Sequence, residues 1–216
     1  MSGTEALPSS PRIKGRPRGF DRSEALVRAL DVFWRRGYEP ASLSELCAAM
    51  GINPPSLYAA FGNKAKLFLE AVDFYERNYW DAPWARMAAE PDVHRAIDNF
   101  FREAGEILLS PKVPCGCLVV LAAINVSAES GEVFEAVKAL RLEGIGHFTR
   151  RIEQAIGDGQ LPADTDVGSL AAVLNTLLEG MSIHVRDGVA LAEMTKLAAY
   201  AVRLLPASLT PSQPDI

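Results

Sequence analysis

SLSELCAAMGINPPSLYAAF, Ser42 to Phe61, is the stretch whose reading decides the fold. Ser42 and Glu45 have the Ser-x-x-Glu spacing of a capping box, so a helix starts there, and Leu43, Leu46, Cys47 and Met50 give it an apolar face. Gly51 follows, a residue that takes the left-handed backbone a sharp turn needs. A second helix begins at once. Asn53 is a good N-cap, and Pro54 sits at the first helical position, where its missing N–H costs nothing. Ile52 and Leu57 have the spacing of a hydrophobic staple. Leu57, Ala60 and Phe61 turn inward, which leaves Pro54, Pro55, Ser56, Tyr58 and Ala59 outside.

Upstream, the pattern predicts a platform helix over 22–36. Asp21 caps it, with Glu24 three residues on; Leu26, Leu30 and Phe33 form a stripe beside Ala29 and Trp34, and Gly37 ends it. Two short helices on a tight glycine turn, backed by such a platform, describe a helix-turn-helix. Its second member enters the major groove N-terminus first, where free N–H groups and the positive dipole end favour phosphate. The outer face holds no Arg, Gln or Asn beyond the cap, so strong bidentate base contacts are missing. Affinity is then expected from phosphate contacts, and part of the specificity from DNA shape.

A net charge of −5 over 216 residues argues, by itself, against a nucleic-acid partner. Its distribution argues for one. Ten Lys/Arg against five Asp/Glu lie between Arg12 and Lys66, a basic head on an acidic body. Residues 1–19 are expected to be a disordered basic arm. Lys14 to Gly19 (KGRPRG) has the composition of a minor-groove element, so Arg16 and Arg18 are candidate DNA contacts in a narrow A·T-rich groove.

The segment resembles a known family. WRRGYEP (Trp34–Pro40), SLSEL (Ser42–Leu46) and GINPPSLYAAFGNK (Gly51–Lys64) are similar to the TetR/AcrR family of bacterial regulators, most of all in the Leu-Tyr-x-x-Phe-x-x-Lys ending. The resemblance covers the first quarter of the chain. It implies a dimer, usually a repressor, that binds a palindromic operator and is released by a small molecule held in a helical C-terminal domain. Positions matching Ser44, Pro54, Pro55, Ser56, Tyr58 and Lys64 touch DNA in such proteins, with Tyr58 and Lys64 mostly on phosphate. Ser56 and Ala59 are better placed for bases, and Ser42 and Asn53, at the two helix starts, complete the candidate set.

The expected architecture is all-α, with about nine helices. A helix-turn-helix domain spans 20–66, an effector-binding and dimerisation domain 67–206, and a loose tail 207–216. A fourth helix, carrying Phe68, Ala71, Val72 and Tyr75, links the two domains. Further helices are expected over 92–109, 117–128, 131–156, 165–187 and 191–205, with breaks at 80–83, 113–116 and 157–162. The last two helices (Thr165–Asp187 and Leu191–Leu205) have broad apolar faces. On their pattern alone they either close the monomer's core or pair across a two-fold axis; the resemblance implies the pairing. If the fourth helix moved, the spacing of the two recognition helices, about 34–36 Å on one DNA face, would change.

Phe101, Leu121, Asn125, Phe148 and Leu174 are candidate ligand-binding residues, apolar positions of the middle helices with a polar anchor; Phe100, Leu108, Asn99, His147, Asn175 and Thr176 lie near them. Taken one by one, burial favours the aromatics as ordinary core and the polar groups as surface. Cys115 and Cys117 form a Cys-x-Cys, a weak candidate for a soft metal or a redox sensor, but two cysteines are too few for a closed zinc site, and Cys117 also reads as a small buried hydrophobe. No cofactor is expected. Phosphate-loop, dinucleotide, nucleophile-elbow and zinc-protease motifs are all missing, which argues against an enzyme. A helical protein adaptor would leave the basic head unexplained. No apolar run reaches eighteen residues and no signal core opens the chain, so neither a membrane nor secretion is expected, and the few cysteines fit a reducing cytoplasm.

Overall fold

The computed structural model describes residues 19–207, and among them there is helix and no strand. The arm residues Arg16 and Arg18, and the tail from 208 on, lie outside the described residues. The helices run α1 (Arg22–Arg36), α2 (Leu43–Met50), α3 (Pro54–Phe61), α4 (Lys64–Tyr75), α5 (Asp81–Ala89), α6 (Val93–Leu108), α7 (Leu118–Leu121), α8 (Gly131–Gly157), α9 (Val167–Arg186) and α10 (Leu191–Arg203). A π-helical turn, Glu76–Trp80, joins α4 to α5 without interruption. Counted as one rod, these leave nine helical segments, the number expected.

The break expected at 80–83 is therefore absent. Pro83 is buried in the first turn of α5. A proline ring crowds the carbonyl four residues upstream, here that of Tyr79, and the wider π turn lies where that crowding falls.

The helix expected over 117–128 shrinks to the single turn of α7. The backbone beyond it bonds to the turn after α1 instead of to itself. Ala122 O accepts from Tyr38 N at 2.7 Å, and Ser127 N donates to Glu39 Oε1 at 2.8 Å. Asn125 is consequently exposed in a bend.

A core of buried side chains runs through both halves of the molecule. α1 packs on α2 and α4, and α8 on α9. α10 lies chiefly against α6 and only lightly against α9, so within the monomer the last two helices pack on the body more than on each other. Gly105 on α6 makes this packing possible, since a Cβ there would come within 3.0 Å of Met194 Cβ. Buried Arg151 fixes the α5–α6 corner, donating through Nη2 to the carbonyl oxygens of Glu90 at 2.9 Å and Pro91 at 3.3 Å.

Candidate nucleic-acid interface

Each helix of the reader is started by its own cap. Asp21 Oδ1 accepts from Ser23 N and Glu24 N; Ser42 Oγ accepts from Glu45 N at 3.1 Å; Asn53 Oδ1 accepts from Ser56 N at 2.9 Å. Gly51 takes the left-handed backbone at φ 68° and ψ 31°. The capping box is only half formed, because Glu45 turns its carboxylate to Arg36 at 3.1 Å and not back to the helix start.

α3 buries Leu57 and Phe61 and half-buries Ala60. Asn53, Pro54, Pro55 and Ala59 are exposed, Tyr58 is 48% exposed, and Ser56 is half-buried. Ser42 and Ser44 are exposed beside them on α2. A shallow concavity follows the start of α3, bordered by Gly51, Asn53, Ser56, Ala59, Gly19 and Phe20. The described structure thus begins, at Gly19, beside the start of α3.

The cations read differently in space than in sequence. Arg28 pairs with Glu24, Arg35 with Asp31 and Arg36 with Glu45, all on the surface. Such exposed pairs hold about 0–1 kcal/mol each, so they can be exchanged for phosphate at little cost. Arg22 is a bracket: its guanidinium donates to Ala60 O and to Glu70 and lies 4.4 Å from the centre of the Phe61 ring. Lys64 is held as well. Its Nζ donates to Glu39 O at 3.1 Å, sits 4.5 Å from the Tyr38 ring centre, and has its pKa lowered by burial. Sequence reasoning missed both roles, because their partners lie 25 to 48 residues away.

A second set of contacts ties reader to body. Trp34 Nε1 donates to Gly116 O at 2.8 Å, and Glu39 Oε1 accepts from Ser127 N and from Ser130 Oγ. With α4, these make two connections between α3's platform and the helices beyond.

The body holds a cavity of about 110 Å³ between the π turn, α5, α7, α8 and α9. None of the residues expected to line a ligand site borders this cavity. Phe101, Phe148 and Leu174 are fully buried core, stacked or packed on one another's helices; Leu121 is half-buried against Gly116; Asn125 is exposed. Their large apolar side chains close the core and leave no space. Two named neighbours, His147 and Asn175, do border the cavity, with Glu76, Glu179 and Ser182. Glu76 is largely buried, and burial, then Asp81 and Glu143, push its carboxyl up to about 8. Cys117 also borders it, but burial, with Glu76 next, pushes the thiol up to about 11, which disfavours the reactive thiolate. Cys115 is exposed, so the two cysteines face different surroundings, and among the described residues no group of three metal-ligating side chains comes together.

Known proteins share this arrangement along most of its length. Residues 25–71 match the model for bacterial regulatory proteins of the tetR family, and residues 94–196 match that for a tetracyclin repressor-like C-terminal domain. The HTH-type transcriptional repressor ComR of Escherichia coli (strain K12) is 31% identical over 204 residues, 94% of this chain and 97% of that one. This chain belongs to the TetR family. The uncharacterised regulator YezE of Bacillus subtilis (strain 168) is 33% identical over 162 residues, covering 74% of this chain and 84% of its own. The regulator CifR, a cysteine mutant solved with a 26-base-pair double-stranded operator DNA, superposes with a TM-score of 0.85 at 43% identity, covering 88% of this chain and 100% of that one.

The TetR-type resemblance read from residues 34–64 is therefore borne out, and the all-α fold with it. The chain is a transcriptional regulator with a helix-turn-helix reader. No helix of the described residues is long and apolar enough to cross a membrane.

Proposed function

We propose that this TetR-family regulator is a cytoplasmic homodimeric repressor, not an enzyme, that grips a palindromic duplex with two copies of the 20–66 reader and lets go when a small molecule enters the 67–206 body. The observation that supports it most is the exposed edge of α3: Pro54, Pro55, Tyr58 and Ala59 face solvent, with Ser56 half-buried among them, while Leu57 and Phe61 anchor the helix. Ser42, Ser44 and Asn53 flank that edge as backbone contacts, Lys64 turns from Glu39 to a phosphate, and Arg16 and Arg18 extend the grip into the minor groove. The operator-bound relative CifR supports the same use of the fold.

Dimerisation is supported by α9 and α10. Val173, Thr176, Gly180 and Ile183 repeat at helical spacing on the outer side of α9, and Tyr200 and Leu204 extend the apolar surface on α10. Gly180 has open space where a Cβ would go, room for a partner helix to approach. Release follows the two connections described above. A ligand that shifts the π turn moves α4, and one that shifts α7 moves the turn held by Glu39 and Trp34; either changes the spacing of two half-sites.

In vitro selection from random duplexes tests the reading. A two-fold symmetric consensus with half-sites one helical turn or a multiple apart supports it; no enrichment over ten rounds contradicts it. Removing residues 1–19 should weaken the selected duplex, and unchanged affinity rejects the arm's part.

A further inference from the structure

The cavity of the body is rich in carboxylates. Glu76, Asp81, Glu143 and Glu179 border it, against Arg141 and His147. Arg141 donates through Nη1 to Val119 O at 3.3 Å, and burial and the nearby Arg150 hold His147 toward its neutral form. Acceptors outnumber charges that could balance them.

A second feature points to a missing partner: a hydroxyl that can accept as well as donate. Ser182 is 1% exposed and borders the same cavity, and its Oγ has no hydrogen-bond partner. Hydroxyls in helices commonly turn back to the carbonyl four residues upstream. Thr176 does so to Ala172 O at 2.8 Å and Thr195 to Leu191 O at 3.0 Å, but Ser182 does not. A buried polar group left unpartnered is costly and calls for a ligand or a water. The remaining wall is hydrocarbon, from Val119, Val120, Leu140 and Leu178.

We propose that the cavity takes a small alkylammonium ion, with its N–H groups directed to the Glu76 and Glu179 carboxylates and the Ser182 hydroxyl and its carbon chain against Val119, Val120, Leu140 and Leu178. This names the effector class of the regulator proposed above and rests on that reading. An ammonium group has donors and no acceptor, which complements a wall of acceptors. An anion would meet repulsion from the same wall.

Glu76 couples the ion to the reader. It is the first residue of the π turn that continues α4. Its carboxyl, at about 8, is mostly protonated at pH 7. It is faced by Tyr75 and Cys117, both neutral there, by Asp81 and Glu143, and across the cavity by Arg141, His147 and Glu179. A cation beside it favours the ionised carboxylate, so binding expels a proton at the end of α4.

Calorimetry on the full chain, without DNA, tests this with 3-methylbutylammonium and its neutral counterpart 3-methylbutan-1-ol at pH 7, in two buffers of different ionisation enthalpy. The ammonium ion should bind at least fivefold tighter than the alcohol and release close to one proton. Glu76→Gln/Glu179→Gln should abolish the preference and the release, and Ser182→Ala should weaken the ion about fivefold without lowering the melting temperature. No heat from the ammonium ion, a preference under fivefold, or a preference kept in the double variant overturns the proposal. A chain that binds duplex but not the ion loses only this inference; one that binds the ion but no duplex loses the regulator reading instead.

Discussion

The reader and the body of this chain are made by different means. In the reader, Asp21, Ser42, Asn53 and Asn63 each cap the helix that follows them, and Gly37, Gly51 and Gly62 end the helices with positive φ. Shape there is set by neighbours in sequence. In the body, Asp92 and Asp166 also cap α6 and α9, but the functional geometry arises where helices cross. Glu76 and Ser182, far apart along the chain, meet at one cavity. The difference teaches that a presented edge can be specified locally, whereas a pocket is specified by what packing leaves unfilled, and it tolerates charge that lowers stability.

The sharpest test of that contrast is a pair of core truncations. Leu57 and Leu174 are both fully buried. Replacing either with Ala should cost about 2–5 kcal/mol in urea unfolding. Leu57→Ala should also abolish duplex binding by the folded fraction, while Leu174→Ala should leave that fraction competent; equal effects on DNA would break the division between reader and body.

Next in size is the pH dependence of Glu76. Its folded pKa, about 8, lies above its ordinary value of 4.5, so the folded protein holds the proton more tightly. The contribution is full below about pH 4.5 and is lost as pH rises through 8. Stability should fall across that window by on the order of 1–3 kcal/mol, less than the full shift because the group keeps some exposure. Glu76→Gln should flatten the slope in melting curves taken from pH 5 to 9. A variant with the wild-type slope would remove Glu76 from the account.

Smaller effects come from the reader's punctuation. Gly51→Ala, at φ 68°, should cost about 1 kcal/mol, and Asn53→Ala about the same through the lost cap. Circular dichroism melts check both. A neutral Asn53→Ala would mean that α3 is held by packing and not by its own start signal.

How much was legible follows from the same division. Residues 34–64 carried both the fold and the exposed edge, because caps, a glycine and a proline act over three or four positions. The extent of α7 was not legible: its continuation is prevented by bonds from Ala122 and Ser127 to the α1–α2 turn, which no local pattern records. The candidate ligand residues were chosen for size, and size is what fills a core, so Phe101, Phe148 and Leu174 went there. The cavity lies instead beside His147 and Asn175, where Gly144 cannot carry a Cβ without meeting Asn175 Oδ1 at 2.5 Å. The bracket made by Arg22 was hidden inside a count of cations. The salt bridges of the reader also show why the charge asymmetry overstated its free positive charge.

Ala59 offers the most direct test of the central claim. It is exposed in the middle of the α3 edge, so Ala59→Glu leaves the core untouched and places a carboxylate on the face expected against base edges, inside the negative field of the duplex. Titration of wild type and variant with a selected duplex across 50–200 mM salt should show log affinity falling steeply with log salt for the wild type. The variant should bind at least a hundredfold more weakly at every salt, with an unchanged melting temperature. Equal affinity of the two proteins would contradict the claim that this edge of α3 meets DNA.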